Sequence, residues 1–267
     1  MGEVTSYPNG AFCWVDLGTT DAEGAKRFYS EILGWDTEDV DTPDGIYTIG
    51  RMQGKDVAGL HAHGEEDAHN WDSYIAVEDL DATLDRVKEL GCRLDSGPHT
   101  IPGSARMAVI IDGGGARVCL WEAAGYPGAS LVNETGCWTW NDLSTRDPAA
   151  AEAFYRGLFG WDFQQVIPGY WSISMGNLLI GGMRSMGDGD RPASWMPYFV
   201  VADADKAVAM MEERGGQVFV PPTAVPAGRF SVAADPRGAG FGLIEMGPEG
   251  PSRGVDGSAG PEFRPRG

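Results

Sequence analysis

The sequence predicts an α+β protein of four βαβββ modules, two in each half of the chain, and three observations carry that prediction. First, FCWVDLGTTDAEGAKRFYSEILGWD, residues 12–36, returns as WTWNDLSTRDPAAAEAFYRGLFGWD, residues 138–162. Trp14 falls over Trp140, Asp16 over Asp142, Phe28 and Tyr29 over Phe154 and Tyr155, and Trp35 over Trp161. A repeat this long marks a duplicated domain, since solenoid units run about 20 to 50 residues. Second, the copy continues: WDSYIAVEDLDATLDRVKELGCRL (71–94) matches WMPYFVVADADKAVAMMEERGGQV (195–218), and RMAVIIDGGGARVCLWE (106–122) matches RFSVAADPRGAGFGLIE (229–245). Third, within each half the patterns run strand, helix, three strands, and then the same again.

The elements follow in order. WVDL alternates as a short strand, and the next segment places Ala25, Phe28, Tyr29, Ile32 and Leu33 at i, i+3, i+4, i+7 and i+8, one face of a helix. Thr20 or Asp21 can cap it; the second copy offers Asp147 followed by Pro148, a residue well tolerated at the first helical position. The strand candidates GIYTIGRM and DVAGLHA come next, then YIAV. A second helix should run from Asp79 to a glycine stop at Gly91, and its copy from Asp203 to Gly215. RMAVIID and RVCLWE close the first half as strands. Domains are therefore expected at 8–124 and 136–247, corresponding strands carrying Trp14 and Trp140. Within AAGYPGASLVNET, residues 125–135 read as a linker outside both cores. The Pro/Gly-rich stretch 248–267 reads as a flexible tail.

Composition narrows the function classes. With 42% hydrophobic and 22% charged residues the chain is globular. No apolar run approaches the roughly 18 to 20 residues of a membrane span, and MGEVTSYPNGAF lacks the features of a signal peptide. The net charge of −19 repels phosphate backbones, which argues against nucleic acid as a partner. Four cysteines without CxxC spacing read as reduced thiols of a cytoplasmic protein.

The strand ending in D-L-x-T-x-D, the helix carrying F-Y-x-x-x-x-G-W and a closing D-P-x-G before a last strand with L-x-E resemble the glyoxalase/bleomycin resistance protein/dioxygenase superfamily, the vicinal oxygen chelate proteins. The resemblance covers about residues 10–247. It implies a tandem pair of such domains, whose four modules form two cup-shaped mixed sheets with helices outside. It also implies that each cup holds either a divalent metal with catalytic residues or a purely organic ligand. The positions where it seeks metal ligands are Trp14 and Trp140 on the first strands, Asp72 and Met196, Cys119 and Gly242, and, for some members, Gly59 and Gly182. A metal site needs three or four N/O donors, and indole and glycine supply none. No cofactor is therefore expected, and a divalent metal is disfavoured. His61, His63 and Asp72 are the fallback ligands, the first two sharing a strand face; the alternative for that stretch is a solvated edge.

Within the cups, alternation sends Val15 and Leu17 to the helix and Phe12, Trp14 and Asp16 to the concave side, with Trp138, Trp140 and Asp142 matching them. Asp72, Tyr74, Cys119, Trp121, Trp171 and Tyr198 join them as candidate ligand-binding residues, and Trp71, Trp195 and Tyr170 as walls or rims. Aromatics with an N–H or O–H handle suit a planar organic ligand, although repeated tryptophans can equally fill a core or an interface. Asp16 and Asp142 are the candidate catalytic groups. Each could orient a ligand or exchange a proton, or could accept backbone N–H bonds from the next loop. Cys119 reads as a small filler rather than a nucleophile. The expectation is a metal-independent protein that binds a small aromatic or polycyclic ligand, as a monomeric pseudo-dimer or a homodimer, by sequestration or acid–base catalysis. The alternative is a metal-dependent dioxygenase, hydroxylase or lyase of the same superfamily, acting on a secondary metabolite.

Overall fold

Each quarter of the chain folds as strand, helix and three strands. The computed structural model describes residues 2–43, 45–64, 69–187 and 191–247. The first module is β1 (Phe12–Thr19), α1 (Ala22–Leu33), β2 (Asp36–Thr42), β3 (Gly45–Met52) and β4 (Lys55–Ala62). The second is β5 (Asn70–Ala76), α2 (Leu80–Glu89), β6 (Arg93–Ile101), β7 (Ala105–Ile111) and β8 (Arg117–Ala123). The third is β9 (Trp138–Thr145), α3 (Pro148–Phe159), β10 (Asp162–Ile167), β11 (Tyr170–Met175) and β12 (Leu178–Ser185). The fourth is β13 (Ser194–Val200), α4 (Ala204–Glu213), β14 (Gln217–Val225), β15 (Gly228–Ala234) and β16 (Gly240–Met246). Trp14 and Trp140 thus stand on corresponding strands.

Local chemistry sets the helix ends. Asp21, Asp79, Asp147 and Asp203 each accept a hydrogen bond from the backbone N–H three residues on, satisfying an otherwise orphaned donor. Gly34 and Gly160, at φ 79° and 68°, end α1 and α3 in the left-handed conformation that disfavours a side chain. The buried face of α1 is Ala25, Phe28, Tyr29, Ile32 and Leu33, as its spacing predicts.

In the first half the strands lie in the order β2-β3-β4-β1-β5-β8-β7-β6, and in the second β10-β11-β12-β9-β13-β16-β15-β14. Both sheets are mixed: β1 runs parallel to β4 and antiparallel to β5, and β5 runs parallel to β8. One rung between β8 and β13, Arg117 to Ser194, joins them into a continuous sheet. The fold is the expected tandem pair of cups.

Four tryptophans and two tyrosines build the joint between the halves. Tyr29 on α1 donates to Asp235 Oδ2 of the other half (3.2 Å) and accepts from Trp71 Nε1 (3.0 Å). Tyr155 on α3 does the same with Asp112 Oδ2 (2.8 Å) and Trp195 Nε1 (2.8 Å). Both aspartates spend their second oxygen on backbone N–H groups of their own turns. Trp35 Nε1 reaches Gly136 O and Trp161 Nε1 reaches Gly10 O, again across the joint. Trp71 and Trp195, expected as walls or rims, belong here instead: both point to the helix side, and Trp71 lies 5.0 Å from the Phe199 ring.

Two further expectations are corrected. A bulge between Phe12 and Trp14 breaks the alternation of β1, so Phe12 leaves the concave face and packs on Trp161 and Trp195. The pairing of β9 with β13 slips at the matching place, so Trp138 faces away from Trp140 and donates to its carbonyl. The linker, expected outside both cores, is a packed strap: Ala129, Leu131 and Val132 are 0%, 4% and 2% exposed. Its backbone is tied to Cys13 O, Asp56 O and Gly2 O, and Glu3 bridges to Leu131. Its glycines and proline suggest a tether, but the apolar residues among them find a surface to bury. The expected tail, 248–267, lies outside the described residues.

Candidate functional site

The concave face of the first cup carries a closed polar cluster under aromatic walls. Trp14, Asp16, Asp72, Tyr74, Cys119, Trp121 and His61 sit at alternating positions of β1, β4, β5 and β8. Register brings Trp14, Tyr74 and Cys119 onto one rung and Gly59, Asp16 and Asp72 onto the next. Tyr47 on β3 and Tyr74 both donate to Asp16 Oδ2, at 3.1 and 2.9 Å. Trp14 Nε1 donates to the Tyr47 hydroxyl at 2.8 Å, and His61 Nδ1 lies 3.8 Å from the same carboxylate oxygen. Asp16 Oδ1 is buried with no hydrogen-bond partner among the described residues. Burial raises the Asp16 pKa; His61 and the two tyrosine hydroxyls oppose the rise.

The second cup repeats this. Trp140 Nε1 and the Tyr170 hydroxyl donate to Asp142 Oδ1 at 2.8 and 2.9 Å, and Tyr198 steadies the same carboxyl. Desolvation again raises the Asp142 pKa. The cups differ in closure. Trp14 is buried at 2% exposure, its ring edge-on to Tyr126 of the strap. Trp121 donates to Tyr126 O, and the Tyr126 hydroxyl reaches Asp56 at 3.0 Å. Trp140 and Tyr170, by contrast, are half-buried.

The remaining predicted residues have other surroundings. Asp72 is engaged by Arg117 Nε (3.1 Å) and Asn70 Nδ2 (2.9 Å). Cys119 is fully buried, and desolvation pushes its thiol well up, so it packs as a small apolar group. Trp171 stands opposite Met183, on the face away from Tyr170. Tyr47, Tyr126, Tyr170's contact with Asp142, and Arg184 escape single-strand reasoning. The repeat could have flagged Tyr47 and Tyr170, because YTIG and YWSIS occupy matching strands.

The donor set expected of a metal centre does not fit. A Cβ on Gly59 would fall 1.9 Å from the Tyr47 hydroxyl, and one on Gly242 would fall 2.0 Å from the Tyr198 ring. Glycine at these positions makes room for phenols where a metal-binding relative would place a ligand. His61, His63 and His69 cluster at the mouth, their neighbouring rings 6.2 and 5.5 Å apart, but Asp72 is turned to Arg117. Among the described residues no three His, Cys, Asp or Glu side chains converge to hold a metal ion. Outside the cups, a cavity of about 270 Å³ opens between the halves beside Phe28. Its Arg214 and Arg237 are paired with Glu31 and Asp21, and it contains none of the cup residues. No helix among the described residues is long and apolar enough to cross a membrane.

Comparison with known proteins agrees with the fold. The chain is 36% identical over 260 residues to "Putative glyoxylase CFP32" of Mycobacterium tuberculosis, covering 93% of this chain and 100% of that protein. It is 31% identical over 265 residues to the anthracycline biosynthesis protein DauV of Streptomyces sp. (strain C5), covering 91% and 96% respectively. Among solved structures, the Mn(II)-bound glyoxalase from Novosphingobium aromaticivorans superposes with a TM-score of 0.64 at 15% identity, over 96% of this chain and 97% of that one, a likeness of fold. The family model for the Glyoxalase/Bleomycin resistance protein/Dioxygenase superfamily matches residues 12–120 and 139–243, so the chain belongs to that superfamily.

Proposed function

We propose that the chain is a metal-independent small-molecule protein that takes an aromatic or polycyclic metabolite in its cups, holding it there or moving a proton on it. One observation carries this reading: each cup buries an aspartate beneath an indole N–H and two phenol hydroxyls, Trp14–Asp16–Tyr47–Tyr74 and Trp140–Asp142–Tyr170–Tyr198. Flat rings with polar handles stack and orient a planar ligand. A carboxyl whose pKa is raised by burial holds its proton more readily than an exposed one and can pass it to a ligand, and Asp16 Oδ1 has no hydrogen-bond partner among the described residues. The name of DauV, a protein of anthracycline biosynthesis, supports a polycyclic aromatic as the ligand class. The metal-independent half of the reading rests on the phenols that occupy the space beside Gly59 and Gly242.

The test is a thermal-shift panel of hydroxylated polycyclic aromatics on the wild type, Asp16→Asn and Asp142→Asn. A ligand at about a hundred times its dissociation constant adds roughly 2.7 kcal/mol to folding. The expected result is a shift for the wild type that shrinks in one or both variants while their unliganded Tm changes little. Sharply lowered Tm with unchanged ligand affinity would make the aspartates scaffold.

A further inference from the structure

The two cups part company at a single rung. Across β1 and β4, one rung beyond Asp16 and Gly59 on the same face, Gly18 pairs with His61. Across β9 and β12 the matching pair is Ser144 and Arg184. A Cβ on Gly18 would come within 2.8 Å of the His63 ring and 3.3 Å of His61 Nε2, so the bare backbone lets imidazoles lie over the strand. In the second cup that position carries a hydroxyl, and Arg184 Nε donates to Ser144 Oγ at 2.6 Å. That bond fixes the plane of the guanidinium and leaves its outer edge free.

Arg184 has no other hydrogen bond and no ion pair among the described residues. It is exposed at the mouth, yet its charge is felt by Asp142, Tyr170 and Tyr198 on the floor. Asp142 makes no ion pair with it, and one of its oxygens already accepts from Trp140 and Tyr170. A pre-oriented cation with no ion-pair partner among the described residues, over half-buried aromatics, is out of character for a chain of net charge −19. We propose that the C-terminal cup takes an anionic aromatic ligand, a carboxylate or phenolate on a flat ring system, with the anionic group on the free edge of Arg184. The proposal rests on the reading of the cups as ligand pockets and adds the charge of the ligand and the residue that selects it.

The experiment is calorimetric titration of the full chain with 2-naphthoate and its uncharged isostere 2-naphthamide, at low and high salt. Variants are Arg184→Gln, Arg184→Lys and, as a charge control, Arg27→Gln on the outer helix. Naphthoate should bind at one site more tightly than the amide, and weaken with salt. Arg184→Gln should cost it about 10- to 100-fold, the size of a charge-assisted hydrogen bond, Arg184→Lys less, and Arg27→Gln nothing. Equal binding of acid and amide, or naphthoate binding indifferent to Arg184→Gln, overturns the charge assignment and leaves the cups as pockets. If neither probe binds, the pocket reading falls and the charge assignment falls with it.

Discussion

Asp16 shows how one residue can be legible in the sequence while its chemistry is not. Its repetition at Asp142 and its parity on the strand place it on the concave face, where the structure has it. What the sequence does not supply is its partners, because Tyr47 and Tyr74 come from other strands and meet it only through register. The raised pKa has a consequence for stability. An acid that binds its proton more tightly when folded contributes stability in full below its unfolded value, near 3.8, and loses it as pH climbs through the folded value. The amide of an Asp16→Asn variant carries no such dependence. The stability of the wild type relative to Asp16→Asn should therefore decline as pH rises above about 4, by up to about 1.4 kcal/mol per pH unit inside the titration window. Melting curves of both proteins across that range check it; parallel curves would mean the carboxyl titrates alike in both states.

At the scale of elements, strands with one buried face can be read and strands without one cannot. GIYTIGRM alternates and RVCLWE carries an unbroken run of four buried apolar residues, so both are legible; β2, DTEDVDT, is exposed along its whole length and bears no pattern, so only the order strand–helix–three strands requires it. The bulge in β1 is equally invisible, since nothing in FCWVDL marks where alternation fails. The strap misleads for a different reason: composition weighs residues equally, whereas Ala129, Leu131 and Val132 are the few that bury, with Tyr126 half-buried beside them. Tyr126 is its point of leverage on the first cup. Tyr126→Ala should lower folding stability by about 2 to 3 kcal/mol, at the lower end for loss of a large aromatic because the ring is half-buried, and should raise acrylamide quenching of tryptophan emission as Trp14 and Trp121 are uncovered. Tyr126→Phe, losing only the bond to Asp56, should cost about 1 kcal/mol and leave quenching unchanged.

At the scale of the whole molecule, the duplication is plain in the sequence but the joint is not. Trp71, Trp195, Tyr29 and Tyr155 recur because each half needs them against the other, and repetition alone does not distinguish an interface from a pocket. Tyr155→Phe leaves Asp112 Oδ2 and the Trp195 N–H without that partner in the core. The expected cost is about 1 to 3 kcal/mol, and Tyr29→Phe should match it. Because the tyrosine–aspartate bonds lie between the halves, scanning calorimetry should show one transition moving to lower temperature. Two resolved transitions in the wild type would show that the halves melt independently.

The crossed contacts at that joint have the symmetry of a dimer. Tyr29 meets Asp235 while Tyr155 meets Asp112, so a patch of each half meets the same patch of the other with roles exchanged, the signature of an isologous dimer. In a dimer of two identical single-cup chains, a change in one pocket is unavoidably a change in both. In one fused chain that constraint is lifted: position 18 is glycine beneath an imidazole while its counterpart at 144 is a serine holding an arginine, on either side of the same joint.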